Sequence, residues 1–211
     1  MTSPSSSPRP SGAGPSGSAP LVDLVVEPMR RRHLRGVMRI DAATSSTPWS
    51  LGLFVAELGR GDERVYLVAR AAGRVVGYAG ALLVAGEAHI TTIAVDPDHQ
   101  GGAVGRRLLA VLIRRVLALG TVAVTLEVRA SNEAAKALYR RFGFVPAGVR
   151  KGYYSKPPED ALVLWAHDVD TPEYAERLAA IEAGLPSPLV TVGLPGSSAT
   201  TVAPTPEGPA S

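Results

Sequence analysis

The chain has no cysteine, which excludes a disulfide scaffold, a thiolate metal site and a cysteine nucleophile together. A reducing compartment fits that absence. Aromatic residues make up only 5% of the sequence and the formal charge is a mere +3. Nucleic-acid readers usually combine a strong basic field with interleaved aromatics, so direct nucleic-acid binding is not expected. Two local basic clusters, Arg30, Arg31, Arg32, Arg35 and Arg106, Arg107, Arg114, Arg115, read as solvated helix faces or as a rim attracting an anionic partner. No apolar run is long enough to span a bilayer, and the N-terminal stretch lacks the charged-then-apolar order of a secretory signal. A cytoplasmic protein without a membrane partner is therefore expected. His33, His89, His99 and His167 show no metal-ligand spacing, and no metal is expected.

A length of 211 residues suits one domain with a real core. Residues 1–20 are almost entirely Ser, Pro, Gly and Ala, and such a segment cannot bury enough surface to offset its ordering entropy. The same composition returns over 186–211. Disordered tails are expected at both places, with a domain over 21–170 and a C-terminal helical extension over 171–185.

Hydrophobic periodicity and turn chemistry divide the domain into alternating elements. A first strand is expected over Val22 to Pro28, then helices over about Arg31 to Ala42 and Leu51 to Leu58, with a polar loop from Thr44 to Trp49 between them. Arg64 to Arg70 alternates like a strand, and Val75 to Val84 follows the Ala72-Gly73 turn as its hairpin partner. Glu87 to Val95 is a further strand, closed by Asp96-Pro97. Val104, Leu108, Leu112, Val116 and Leu119 recur at helical spacing, and Gly120 stops that helix. Thr121 to Val128 reads as a buried strand. Ser131 or Asn132 caps the next helix, with Glu133 in its first turn, where the dipole favours negative charge. Phe144 to Val149 and Asp160 to Trp165 complete the set. The class is α/β (α+β): a single domain with a mixed, mostly antiparallel central sheet flanked by helices.

Two stretches carry chemistry. Ile93 to Leu109, IAVDPDHQGGAVGRRLL, runs from strand through a glycine-rich loop into a helix N-terminus whose amides lack partners, a place to hold a phosphate. Leu126 to Phe144, LEVRASNEAAKALYRRFGF, puts a carboxylate, Glu127, at a strand end and a phenol, Tyr139, on the following helix. Together they suggest group transfer from a phosphate-bearing donor. Each feature also has a structural reading: an ordinary glycine turn, a carboxylate paired with Arg129, a core tyrosine.

These two blocks, with the later RKGYY and the Pro-Trp pair ending at Trp49, resemble the GNAT-family N-acetyltransferases, more narrowly those of the RimI type, over roughly residues 22–170. The resemblance implies an acetyl-CoA co-substrate, no metal, and transfer to an amine; RimI-type enzymes acetylate the N-terminal alanine of a small-subunit ribosomal protein. It further implies that the pyrophosphate loop falls on Gln100, Gly101, Gly102, Ala103, Val104 and Gly105, with Arg106 or Arg107 adding charge. Ala103 stands where the family has a glycine, and a left-handed backbone there would cost about 1–2 kcal/mol; Gly102 is expected to supply the freedom instead. The backbone of Ile93, Ala94 and Val95 would polarise the thioester carbonyl as an oxyanion hole does.

By the same resemblance Glu127 is the general base, Tyr139 the general acid beside the cofactor, and Asn132 a holder of the CoA arm, although helix capping has an equal claim on it. Trp49, Tyr153 and Tyr154 would border a peptide groove. A neutral amine is required for attack. An α-amine with a pKa of about 7.8 is easier to deprotonate than a lysine at about 10.4, by about 3.5 kcal/mol, which favours an N-terminal acceptor for a single carboxylate. The alternatives are a lysine, polyamine or aminoglycoside acceptor, and a non-catalytic acyl-CoA-binding module. A monomer or weak dimer is expected.

Overall fold

The computed structural model describes residues 24–194. The tail expected at 1–20 and the stretch from 195 onward lie outside those residues. One eight-stranded sheet in the order β6-β7-β5-β4-β3-β2-β1-β8 organises the chain. In sequence the elements are β1 (Val25–Pro28), α1 (Leu34–Thr44), α2 (Leu51–Leu58), β2 (Arg64–Ala71), β3 (Arg74–Val84), β4 (Glu87–Val95), α3 (Val104–Leu117), β5 (Ala123–Arg129), α4 (Glu133–Arg141), β6 (Val145–Ser155), β7 (Pro158–Ala166), α5 (Pro172–Ala183) and β8 (Val190–Thr191). Among the described residues only the β4/β5 and β1/β8 pairs are parallel. The mixed, mostly antiparallel sheet flanked by helices is thus the architecture the sequence patterning predicts. Among the described residues no helix is long and apolar enough to cross a membrane.

The sheet is buried on both sides by helices of opposite placement. On one face α3 drives Leu108, Leu109, Leu112 and Ile113 against Leu67, Val76, Ile90 and Leu126, and Leu178 of α5 joins the same cluster. On the other face α1 and α2 set Val37, Ile40 and Phe54 against Tyr66, Val68 and Tyr78 of β2 and β3. The cluster on this second face includes no residue of β5, β6 or β7. The predicted stripe on α3 is buried from Val104 to Val116. Leu119 lies beyond the helix end and is exposed, because the chain turns out through Gly120 at φ 84°.

Three departures from the sequence patterning have physical causes. The first helix opens with a 3-10 turn over Arg31–His33 before α1 begins. The last hairpin is longer than expected, because β6 is an edge strand exposed along nearly its whole length and so shows no apolar alternation to read. Residues 186–194 depart from the tail that their composition predicts: β8 pairs with β1, and Val192 N–H donates to Val26 O at 3.1 Å.

Where β4 and β5 run parallel they pair only from Glu87↔Ala123 to Ile90↔Leu126, although β4 continues to Val95 and β5 to Arg129. The separation begins at a bulge. Ile90 faces Ala81 and Thr92 faces Gly80, which leaves Thr91 unmatched on β4, and such an extra residue bends its strand. Opposite the bulge, a Cβ on Gly80 would overlap the ring of Tyr66. Gly80→Ala should therefore lower stability by about 1–3 kcal/mol, read as a shift of the urea midpoint at constant slope.

Candidate active site

A cavity of about 670 Å3 occupies the gap between the diverging ends of β4 and β5. It is lined on one side by the loop before α3 and by Asn132, Leu138 and Tyr139, and on the other by Glu127, Trp49 and Tyr154.

The loop is fixed at its start by Asp96, a buried carboxylate that accepts from Arg39 Nη1 at 2.5 Å and from the Asp98 amide at 3.2 Å. Those bonds hold its carboxyl below the usual range despite burial, which opposes them. Gln100 donates through Nε2 to Val95 O at 3.2 Å. Gly101 then takes φ 79° and Ala103 takes φ 63°, ψ 9°. The expectation that Gly102 supplies the left-handed residue is corrected here: Ala103 adopts that conformation itself, as the N-cap of α3. The first helical bond of α3 runs from Arg107 N to Ala103 O at 3.1 Å, so the amides of Val104, Gly105 and Arg106 precede it and have no partner in the helix. With no acidic residue in that first turn, the loop presents the donors and the positive dipole end that a pyrophosphate requires. Arg106 lines the cavity. Arg107 does not; it is buried and turned away, onto the carbonyls of Ser187 and Pro188.

Ile93, Ala94 and Val95 line the cavity where β4 has lost its β5 neighbour, so backbone groups there face the gap rather than a strand. Asn132 both lines the cavity and caps α4, accepting from Ala135 N at 3.0 Å. Tyr139 is 5% exposed and, among the described residues, its hydroxyl has no hydrogen-bond partner. Burial raises its pKa, and the nearby Tyr154 phenol adds to the rise.

Glu127 sits on the opposite side of the sheet, its side chain 8% exposed. Arg129 is not its partner. His89 Nε2 lies 2.5 Å from one oxygen and Arg150 Nη2 3.1 Å from the other. Arg129 instead pairs with Glu159 and stacks over the Tyr154 ring at 4.0 Å. Trp49 is placed by its amide, which donates to Asp41 Oδ2 at 2.6 Å, and by its ring, 5.2 Å from that of Phe54. Tyr78 donates to the other oxygen of Asp41 at 2.7 Å. Besides Arg107, the predicted residues Gly102 and Tyr153, the latter 48% exposed, do not line the cavity.

Sequence reasoning misses His89, Arg150 and Asp41. The first two are brought to Glu127 by strand register, which no local signal encodes. Asp41 was legible in principle: it is an acid beside Ile40 on the buried stripe of α1, and a buried acid needs partners.

The arrangement offers an anion cradle, a proton acceptor on one side of an interrupted sheet and a proton donor on the other. Residues 22–144 match the model of the acetyltransferase (GNAT) family. The chain belongs to that family. It is 38% identical over 133 residues to the ribosomal protein bS18-alanine N-acetyltransferase of Salmonella typhimurium, covering 62% of this chain and 88% of that one. It is 42% identical over 121 residues to the N-alpha-acetyltransferase RimI of Mycobacterium tuberculosis, covering 56% and 74%. The crystal structure of the Escherichia coli ribosomal-protein-S18-alanine N-acetyltransferase superposes with a TM-score of 0.64 at 32% identity, over 69% of this chain and 94% of that one. As a GNAT enzyme it is an acetyl-CoA-dependent N-acetyltransferase.

For this GNAT enzyme the left-handed Ala103 makes the loop register testable. Ala103→Gly removes a backbone cost of about 1–2 kcal/mol while loosening the unfolded chain by about 0.5–1 kcal/mol. Stability should rise by up to about 1 kcal/mol, and acetyl-CoA affinity, read by calorimetry, should hold or improve.

Proposed function

We propose that the enzyme acetylates the α-amine of a protein N-terminus, that of a small-subunit ribosomal protein beginning with alanine, in the cytoplasm. The observation that carries this reading is the buried carboxylate of Glu127 facing the acceptor side of the β4/β5 gap, opposite a buried phenol. The names of the relatives support the acceptor.

When bound, acetyl-CoA supplies a thioester carbon open to attack by a neutral amine. Glu127 takes the proton from the incoming ammonium, directly or through a water. His89, about one-third exposed, connects that carboxylate to solvent and offers the proton a way out. Arg150 competes with the ammonium for the same carboxylate and must yield part of its contact as the acceptor arrives. The gap-facing backbone of β4 stabilises negative charge developing on the carbonyl oxygen. Tyr139 holds its proton to high pH, because burial disfavours the phenolate. It is therefore protonated when the thiolate leaves, and a thiolate in the same dry surroundings is itself made more basic. Trp49, on the loop between α1 and α2, and Tyr154, near the end of β6, flank the entering peptide.

Tyr139→Phe should lower kcat by about 100-fold or more with little change in acetyl-CoA affinity; equal losses in both would mark the ring as packing only. Glu127→Gln should lose turnover most below pH 7 and recover toward pH values above about 8, where an α-amine is already neutral. Peptides beginning with Ala, Ser, Met or Gly and one N-terminally blocked internal-lysine peptide, incubated with acetyl-CoA and mapped by mass spectrometry, test the acceptor. Modification should fall on the α-amine of the alanine peptide, and preference for the lysine peptide would overturn the assignment.

A further inference from the structure

Among the described residues none after β7 lines the cavity, yet the segment that follows grips both helices that form the cofactor side. On α3, Arg107 is 2% exposed and donates to Pro188 O at 2.9 Å, Ser187 O at 2.7 Å and Ser187 Oγ at 2.7 Å. Arg106 reaches Gly184 O at 3.3 Å, and Arg114 makes a two-pronged bond to Glu182 at 2.5 and 2.7 Å. On α4, Tyr174 Oη–H donates to Phe142 O at 2.8 Å and so secures the C-terminal end of the helix that carries Tyr139. Beyond these bonds the segment enters the sheet as β8 and ends its described course beside β1. All of it lies past the residues matched by the family model, which end at 144.

Arg107 is the unusual member. It is a buried cation beside the positive end of a helix dipole, next to a second arginine, and its partners are carbonyls and a hydroxyl rather than a carboxylate. Burial and Arg106 both act against its charge. Such a cation is held at a cost that a nearby anion reduces.

We infer that residues 172–192 are a brace for the cofactor site, with Arg107 as its positioning residue, and that closing this brace and binding acetyl-CoA favour one another. The phosphates at the loop offset the repulsion at the start of α3, which tightens the Arg107 contacts. In return, an anchored α3 and α4 keep the loop amides and Tyr139 in place. Linkage makes the two effects equal in free energy. The inference does not depend on which amine accepts the acetyl group.

Amide exchange on the full wild-type chain, with and without saturating acetyl-CoA, reads the coupling in one direction. The amide of Val192 should exchange at least about 5-fold more slowly with ligand. Unchanged exchange there, with acetyl-CoA shown by calorimetry to be bound, overturns the inference. Arg107→Met and Tyr174→Phe read it in the other direction. Each should weaken acetyl-CoA binding by about 5-fold or more and speed exchange at residues 101–106, while leaving the acceptor KM in place, and Arg107→Lys should restore part of the affinity. Folded variants with wild-type affinity would overturn it equally. Should Arg107→Met fail to fold, the wild-type exchange measurement still decides.

Discussion

The separation of β4 from β5 is the constraint on which the rest of the structure depends. A sheet interior is ordinarily closed by its own ladder, and a backbone group left unpaired there costs free energy. This sheet opens its ladder in the middle and fills the opening with a cavity whose walls are backbone, loop amides and a few side chains. The extra residue Thr91 starts the bend. The parallel pairing of β4 with β5 makes the opening possible, since it places the crossover helix α3 and its N-terminal loop at the same end of the sheet as the gap. An antiparallel hairpin would have put a short turn there instead.

The phenol and the carboxylate of the proposed mechanism are thereby divided between the two faces of one sheet. Tyr139 comes from α4 and joins the cluster packed by α3, and Glu127 alternates along β5 with Leu126 and Val128 of that cluster and so faces the other side. Their surroundings differ: among the described residues the Tyr139 hydroxyl has no hydrogen-bond partner and is desolvated, whereas the Glu127 carboxylate is held by a histidine and an arginine.

The elements and the loop were legible in the sequence because they are local. The ranges of α2 and β4 agree with those read from periodicity and turn residues, and the cap of α4 is one of the two residues expected. What could not be read depends on register or on distant partners. Glu127 has a neighbouring arginine in sequence, yet the strand geometry turns Arg129 to Glu159 and brings in Arg150 from an edge strand with an irregular register. Residues 186–194 have the composition of a tail and are nevertheless ordered by carbonyls that a buried arginine needs. Composition reports what side chains can bury; it is silent about what the backbone can offer to someone else's side chain.

Ala103 shows why the family's loop tolerates a substitution that local rules would reject. A left-handed alanine costs about 1–2 kcal/mol in isolation, and nothing within the loop relieves it, since Gly102 does not take the conformation over. The compensation lies in the ends. Asp96 and Arg39 fix where the loop begins, and the buried first residues of α3 fix where it finishes, so the intervening backbone has little choice of path. Strain of this kind persists where the surroundings over-determine the conformation. The same over-determination fixes the first turn of α3, whose Val104, Gly105 and Arg106 line the cavity, and donors fixed in advance need no reorganisation to meet a charge.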